Sequence, residues 1–217
     1  MDRSEWRCEA PLGTFTSTLT GSSARRRSNS FVVESFLELA AIPTGTHLFR
    51  VVRAERFARQ RLEALARVDA GVGGDAPAVV FLCVHNAGRS QMALGWFSHL
   101  AGDRAAAWSG GSDPISQVHA AVAAAMAEVG IDLSAEFPKP WTNEVLRAAD
   151  VVVTMGCGDA CPLLAGKHYE DWEIEDPAER SVEEVRLIRD EIERRVEQLL
   201  DRLGLGVALP SSGYGET

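Results

Sequence analysis

The sequence predicts an α/β domain built on a four-stranded parallel sheet with helices on both faces, preceded by a short helical extension. Three observations lead there. Four short strand-like runs, 79–83, 105–108, 150–155 and 167–172, alternate with helix-period segments, the order that gives a parallel sheet covered on both sides. The first of them, Val79-Val80-Phe81-Leu82, is continuously apolar, as a fully buried strand must be. Upstream, Gly71-Val72-Gly73-Gly74-Asp75 separates a helical piece from this domain.

In chain order, residues 1–29 mix Ser, Thr, Gly and Arg around Arg25-Arg26-Arg27 without a sustained period and read as disordered, with Cys8 a bystander thiol. Residues 31–40 form a short helix broken near Pro43-Thr44-Gly45. A better helix covers 47–68, with Leu48, Val51, Ala54, Ala58, Leu62 and Leu65 spaced by threes and fours. Such a piece is not stable alone, so residues 30–70 must pack on the domain or on a second copy, as a dimerisation or docking element. Residues 71–77 are the linker, 78–203 the main domain and 204–217 a flexible tail. Within the domain, 90–100 is the first crossover helix, with Met92, Ala93, Trp96 and Phe97 toward the sheet. Pro114 opens a helix over 115–129 that Gly130 ends, and 141–148 is a short helix. The last helix, 183–203, shows Val185, Ile188, Ile192, Val196 and Leu199 on one face.

Net charge of −9 argues against nucleic acid or an anionic membrane as a general partner, and no run approaches the ~18 apolar residues of a membrane span. The start lacks a secretory apolar region, and four cysteines suit a reducing cytoplasm better than a disulfide scaffold.

The chemistry concentrates after the first strand, in Cys83-Val84-His85-Asn86-Ala87-Gly88-Arg89-Ser90. Backbone N–H groups at a helix start lack partners and the helix dipole adds partial positive charge, so a tetrahedral anion can sit in this loop. Arg89 can close over the anion with a permanently charged, bidentate fork. Cys83 lies at the bottom of the cradle, where the same field favours the reactive thiolate, and Ser90 can donate a hydrogen bond to the sulfur. The residues Val84, His85, Asn86, Ala87, Gly88, Arg89 and Ser90 therefore form the expected anion site, and Cys83 is the expected nucleophile.

These residues resemble the phosphate loop of low-molecular-weight tyrosine phosphatases, and the longer stretch from Cys83 to Ala93 resembles their arsenate reductase branch. The similarity continues through Gly111-Ser112-Asp113-Pro114, Val118-His119, residues 130–134, residues 154–162 and Asp171-Trp172 before Asp176-Pro177, covering about 78–203. It implies that arsenate is reduced to arsenite through an arseno-cysteine adduct, with phosphate or sulfate as mimics of the substrate. Attack by sulfur needs a carboxylic acid to protonate the departing oxygen. The resemblance assigns that role to Asp176, held extended by Pro177, with Asp171, Glu173 and Glu175 as neighbouring rivals.

The resemblance also assigns Cys157 as the resolving thiol and Cys161 as its relay partner. A four-residue separation is one helical turn, about 6 Å between Cα atoms, which is within disulfide reach. The alternatives are buried thiols or a zinc pair with His168 nearby, although two cysteines make a poor tetrahedral site. No cofactor or metal is called for. The reductant is thioredoxin, or mycothiol with mycoredoxin, since the downstream cysteines sit closer together than in the familiar thioredoxin-linked pattern. Similar reductases carry a small helical bundle before the domain, where residues 30–70 could form a homodimer. The alternatives are a tyrosine phosphatase using Cys83, Arg89 and Asp176, and a non-catalytic oxyanion-binding or regulatory module.

Overall fold

Strand β1 (Ala78–Cys83) carries no charged side chain and is buried along its whole length, because it lies inside the sheet. In the computed structural model, residues 22–42, 47–70, 76–158 and 163–206 are described. The expectations for residues 1–21, the break at Pro43, the glycine linker, Cys8, Cys161 and the end of the tail lie outside the described residues. Strand β1 pairs in parallel with β2 (Ala106–Gly111) and β3 (Val151–Met155), and β3 pairs with β4 (His168–Asp171), giving the order β2-β1-β3-β4. The register sets Cys83 opposite Gly111 on one side and Met155 on the other. Cys83 thus reaches the carboxyl edge of the sheet at its centre, where open α/β sheets bind ligands.

The two-residue alternation of β1 and β3 divides the core. Val79, Phe81, Val151 and Val153 meet α3 (Arg89–Ala101), α4 (Ala120–Glu128) and α6 (Val182–Arg202) through Met92, Phe97, Met126, Val185 and Ile192. The Phe81 ring stands edge-on to Phe97 at 5.7 Å and lies 5.9 Å from Trp172. On the other face Ala78, Val80, Leu82 and Val152 meet Trp108, Leu146 of α5 (Asn143–Ala148) and Ala64 of α2 (His47–Ala70). Each fully buried Val, Leu or Phe adds roughly 1.5–3 kcal/mol of transfer free energy, so both layers are needed to hold the sheet.

Helix α2 is therefore part of the domain's second layer, and α1 (Ser22–Ala40) packs on α2. The joint turns on Arg61, which is 5% exposed. Its guanidinium donates to Glu144 of α5 at 3.0 Å, to Glu34 at 3.4 Å and to Ser35 and Glu38 of α1, and lies 4.8 Å from the Phe31 ring centroid. Further along, Arg67 pairs with Asp150 at 3.2 Å and donates to the Ala76 carbonyl, while Asp150 accepts from the Ala78 amide at 2.8 Å.

The structure moves several predicted boundaries. Residues 22–29, expected to be disordered, are helical; Ala24 and the three arginines are good helix formers and extend α1 by two turns. The helix expected over 115–129 begins only at Ala120. The preceding residues are held as a loop by the Ile115 amide on the His85 carbonyl at 3.3 Å and the His119 amide on the Ala87 carbonyl at 3.0 Å. Helix α5 starts late because Thr142 caps it, accepting from the Val145 amide. At the other end the expected tail is tied down as far as Leu205, whose amide donates to Leu200 at 2.8 Å and whose carbonyl accepts from Arg104 at 3.0 Å.

Replacing Arg61 leaves three carboxylates facing one another without their common cation. They are partly open to water, so the cost is below that of a fully buried broken pair. Arg61→Ala is expected to lower stability by about 2 kcal/mol, read as a drop in the urea midpoint.

Candidate active site

Chain direction changes abruptly after Cys83, and Asn86 makes the change possible. It adopts φ 48, a left-handed conformation that Asn tolerates better than most side chains. Its backbone amide then points at the Cys83 sulfur, 3.2 Å away, and its side chain is fully buried. The carboxamide oxygen accepts from the Lys139 amide at 3.0 Å and from Gln91 Nε2 at 3.2 Å. A backbone N–H can only donate, which fixes the orientation of the carboxamide and aims Nδ2 at Ser90 Oγ, 2.8 Å away. Ser90 thus receives a hydrogen bond, and its own proton is left for the Cys83 sulfur at 3.0 Å. Two donors converge on one sulfur.

Arg89 is the first residue of α3 and is 8% exposed. Its Nη2 donates to Asp176 Oδ2 at 2.7 Å and its Nη1 approaches the Ile174 carbonyl at 3.4 Å. Asp176, on the loop between β4 and α6, also accepts from the Ala178 amide at 3.0 Å through Oδ1. The acid loop closes tightly on the anion loop: a Cβ on Gly88 would collide with the Pro177 ring and sit 3.6 Å from His119 Cδ2. His119 is held below the ordinary imidazole value by burial, against the pull of Asp176 and with a small push from His85.

The remaining expected residues fall as follows. Val84, His85, Asn86, Ala87 and Gly88 form the loop, with the Val84 and His85 carbonyls tied to the Asp113 and Ile115 amides. Cys157 lies two residues past the end of β3, almost completely buried, and is disulfide-bonded, whereas Cys83 is free. Cys161 lies outside the described residues. The structure brings Cys83, Arg89, Ser90 and Asp176 together at one end of the sheet.

Sequence reasoning missed three supports. Gln91 pins both the backbone and side-chain oxygens of Asn86, at 3.0 and 3.2 Å, and Lys139 fixes the carboxamide from a distant loop. Gly156, with φ 75, leaves room for Arg89, since a Cβ there would stand 2.9 Å from Nη1. The glycine before Cys157 was a visible signal for a close approach; the Lys139 backbone bond carries no signal in side-chain type.

A cysteine sulfur at the end of the central strand, a tight loop running into a helix start and an aspartate on the facing loop, on a four-stranded parallel sheet, define the class to which this chain belongs. The family model described as low molecular weight phosphotyrosine protein phosphatase matches residues 78–208, and the chain belongs to that family. Among its relatives, it is 38% identical to the glutaredoxin arsenate reductase of Synechocystis, over 58% of this chain and 97% of that protein. It is 36% identical to arsenate reductase 2 of Staphylococcus saprophyticus, over 58% of this chain and 98% of that one. The thioredoxin-dependent arsenate reductase of Corynebacterium glutamicum superposes with a TM-score of 0.74 at 40% identity, covering 88% of this chain and 92% of that structure. An arsenate reductase in the phosphate binding state superposes with a TM-score of 0.53 at 36% identity over 58% of this chain and 98% of its own.

Gly156→Ala strains the backbone and pushes on the Arg89 fork. It is expected to raise the phosphate concentration needed to protect Cys83 from alkylation about tenfold, equivalent to roughly 1.4 kcal/mol of anion binding.

Because the unfolded chain binds a proton at His119 more readily than the folded one, stability present above the ordinary imidazole value of 6.5 is lost as pH falls through the lowered value. His119→Asn is expected to flatten that part of the slope, measured as the urea midpoint at several pH values between about 5 and 7.5.

Proposed function

We propose that this protein reduces arsenate to arsenite with a thioredoxin-type dithiol as the source of electrons. The observation that carries this reading is the pairing of a free Cys83 beneath the loop with a disulfide-bonded Cys157 past the end of the adjacent strand. A phosphatase requires the first sulfur. Only a thiol redox cycle has a use for the second.

In the proposed cycle, arsenate enters the loop, and Arg89 exchanges part of its contact with Asp176 for the oxyanion. The Cys83 thiolate attacks arsenic(V), forming an S–As bond, while an arsenate oxygen leaves as water with a proton from Asp176. A second thiolate, Cys157, then attacks the Cys83 sulfur. The S–As bond breaks, its electron pair stays on arsenic to give arsenite, and a Cys83–Cys157 disulfide remains. Attack by Cys161 on Cys157 frees Cys83 as thiolate and leaves a Cys157–Cys161 disulfide. A dithiol reductant closes the cycle by thiol–disulfide exchange. The redox state in the structure fits the point just before that reduction, with Cys83 free; Cys161 and Cys8 are the only partners the composition offers Cys157.

Thioredoxin is favoured over mycothiol with mycoredoxin because the relative that also spans the N-terminal helices is named as thioredoxin-dependent. The cycle needs working thiols, which places it in a reducing compartment such as the cytoplasm. Among the described residues no helix is long and apolar enough to cross a membrane. A homodimer through residues 30–70 would use the outer face of α1, where Val33 and Leu37 are 58% and 64% exposed.

Steady-state arsenate reduction with thioredoxin and thioredoxin reductase tests the cycle. Cys83→Ser is expected to abolish turnover, and Asp176→Asn to lower kcat by a factor of about 100, the scale of one general acid. Cys157→Ser and Cys161→Ser should each stop thioredoxin-coupled turnover. Turnover of Cys157→Ser with mycothiol and mycoredoxin at the wild-type rate would assign the second attack to the small thiol. Hydrolysis of an aryl phosphate without arsenate reduction would make the protein a phosphatase.

A further inference from the structure

We propose that the helical pair α1–α2 braces the oxyanion loop: α2 fixes residues 135–139, and those residues hold Asn86 and Gln91 in the geometry that aims the Ser90 proton at Cys83. The proposal rests on reading Cys83 as the thiolate nucleophile, and it gives the extension a part in tuning that sulfur.

Two routes run from α2 to the loop. In the first, the Phe137 side chain, 3% exposed, is gripped by Ala54 and Phe57 of α2, by Leu39 of α1 and by Ile42 just beyond it. Arg56 donates to the Ala135 carbonyl at 2.7 Å, and the Arg53 guanidinium lies 5.6 Å from the Phe137 ring centroid. The Phe137 carbonyl accepts from Gln91 Nε2 at 3.2 Å, and two residues on the Lys139 amide donates to the Asn86 carboxamide at 3.0 Å. In the second route, Arg53 Nη1 donates to the Ser116 carbonyl at 3.1 Å, and the adjacent Ile115 amide holds the His85 carbonyl at 3.3 Å.

Both routes end on loop residues that do not react, so α2 acts through positioning. Within the 135–139 segment, the polar groups facing Asn86 and Gln91 are backbone, and backbone places them only as well as the segment is held. The Phe137 side chain holds it on the α2 side, while the Gly111 amide on the Lys139 carbonyl at 2.9 Å ties its end to β2. A left-handed Asn whose carboxamide loses its fixed partner can turn over, and Ser90 then has no reason to direct its proton to sulfur.

The test uses the full chain and reads Cys83 directly. Alkylation of Cys83 by iodoacetamide is followed against pH by mass spectrometry of the Cys83 peptide, with and without inorganic phosphate. In the wild type inorganic phosphate is expected to protect Cys83, and the midpoint of its alkylation profile is the reference for the variants. Phe137→Ala is expected to raise that midpoint by about one pH unit and the half-protecting phosphate concentration about tenfold, Phe137→Leu to restore most of both, and Arg53→Met to shift both in the same direction by less. A folded Phe137→Ala with lowered thermal stability but wild-type midpoint and protection would overturn the brace. Should Phe137→Ala fail to fold, unchanged values in both Arg53→Met and Phe57→Leu overturn it equally. A wild-type Cys83 that inorganic phosphate does not protect would remove the reading of the site itself, and the brace with it.

Discussion

The Asn86 carboxamide is the constraint on which the site depends. It is buried, it sits in a left-handed residue, and its two ends have fixed polarity because a backbone amide occupies the oxygen side. An unpartnered amide in such a place would cost about 1–3 kcal/mol, so the surrounding groups must match it. That one requirement sets the direction of every hydrogen bond between Lys139 and Cys83. Reversing the carboxamide would leave two donors facing at Lys139 and would turn the Ser90 proton away from the sulfur.

The sheet supplies the rest. Parallel register brings Cys83 level with Gly111 and Met155, so the chain leaving β1 passes between segments that follow its neighbours. The glycine at 111 is needed there, because a Cβ would run into the Val84 carbonyl at 2.5 Å. The segment after β2 is drawn into the site as well, which is why Pro114 does not start a helix: the amides of Ser112, Asp113, Ile115 and His119 donate to the carbonyls of Cys83, Val84, His85 and Ala87. A helix there would satisfy its own amides and leave the anion loop without its outer support.

Much of this was legible in the sequence because it follows from local pattern. The continuous apolar run of β1, the alternation of strand and helix signals, and the Cys-to-Arg loop identify the architecture and place Cys83 at a strand end. The final helix was legible from its apolar stripe, and its start is sharpened by Ser181 and Glu184, which cap it reciprocally at 3.3 and 2.9 Å. What was not legible is nonlocal. Nothing in the side chain of Lys139 announces that its backbone amide fixes Asn86, and nothing in Phe137 tells that α2 covers it. The choice between a helical pair that docks on its own domain and one that pairs with a second copy depends on which face the stripe meets. Ala64 and Arg61 decide for α2, by contacts with β1 and α5 that lie far away in sequence.

Gly156 joins the proposed anion chemistry to the proposed redox chemistry. It follows β3 directly, leaves space for the Arg89 fork, and is followed at once by Cys157, so the guanidinium proposed to grip the oxyanion lies against the segment that carries the second sulfur. A larger residue at 156 would separate the two. In a phosphatase the chain after β3 has only to leave space for the arginine. In the proposed reductase it must also bring a thiol to the adduct that the arginine has just helped to form, and a glycine followed directly by a buried cysteine meets both demands in two residues.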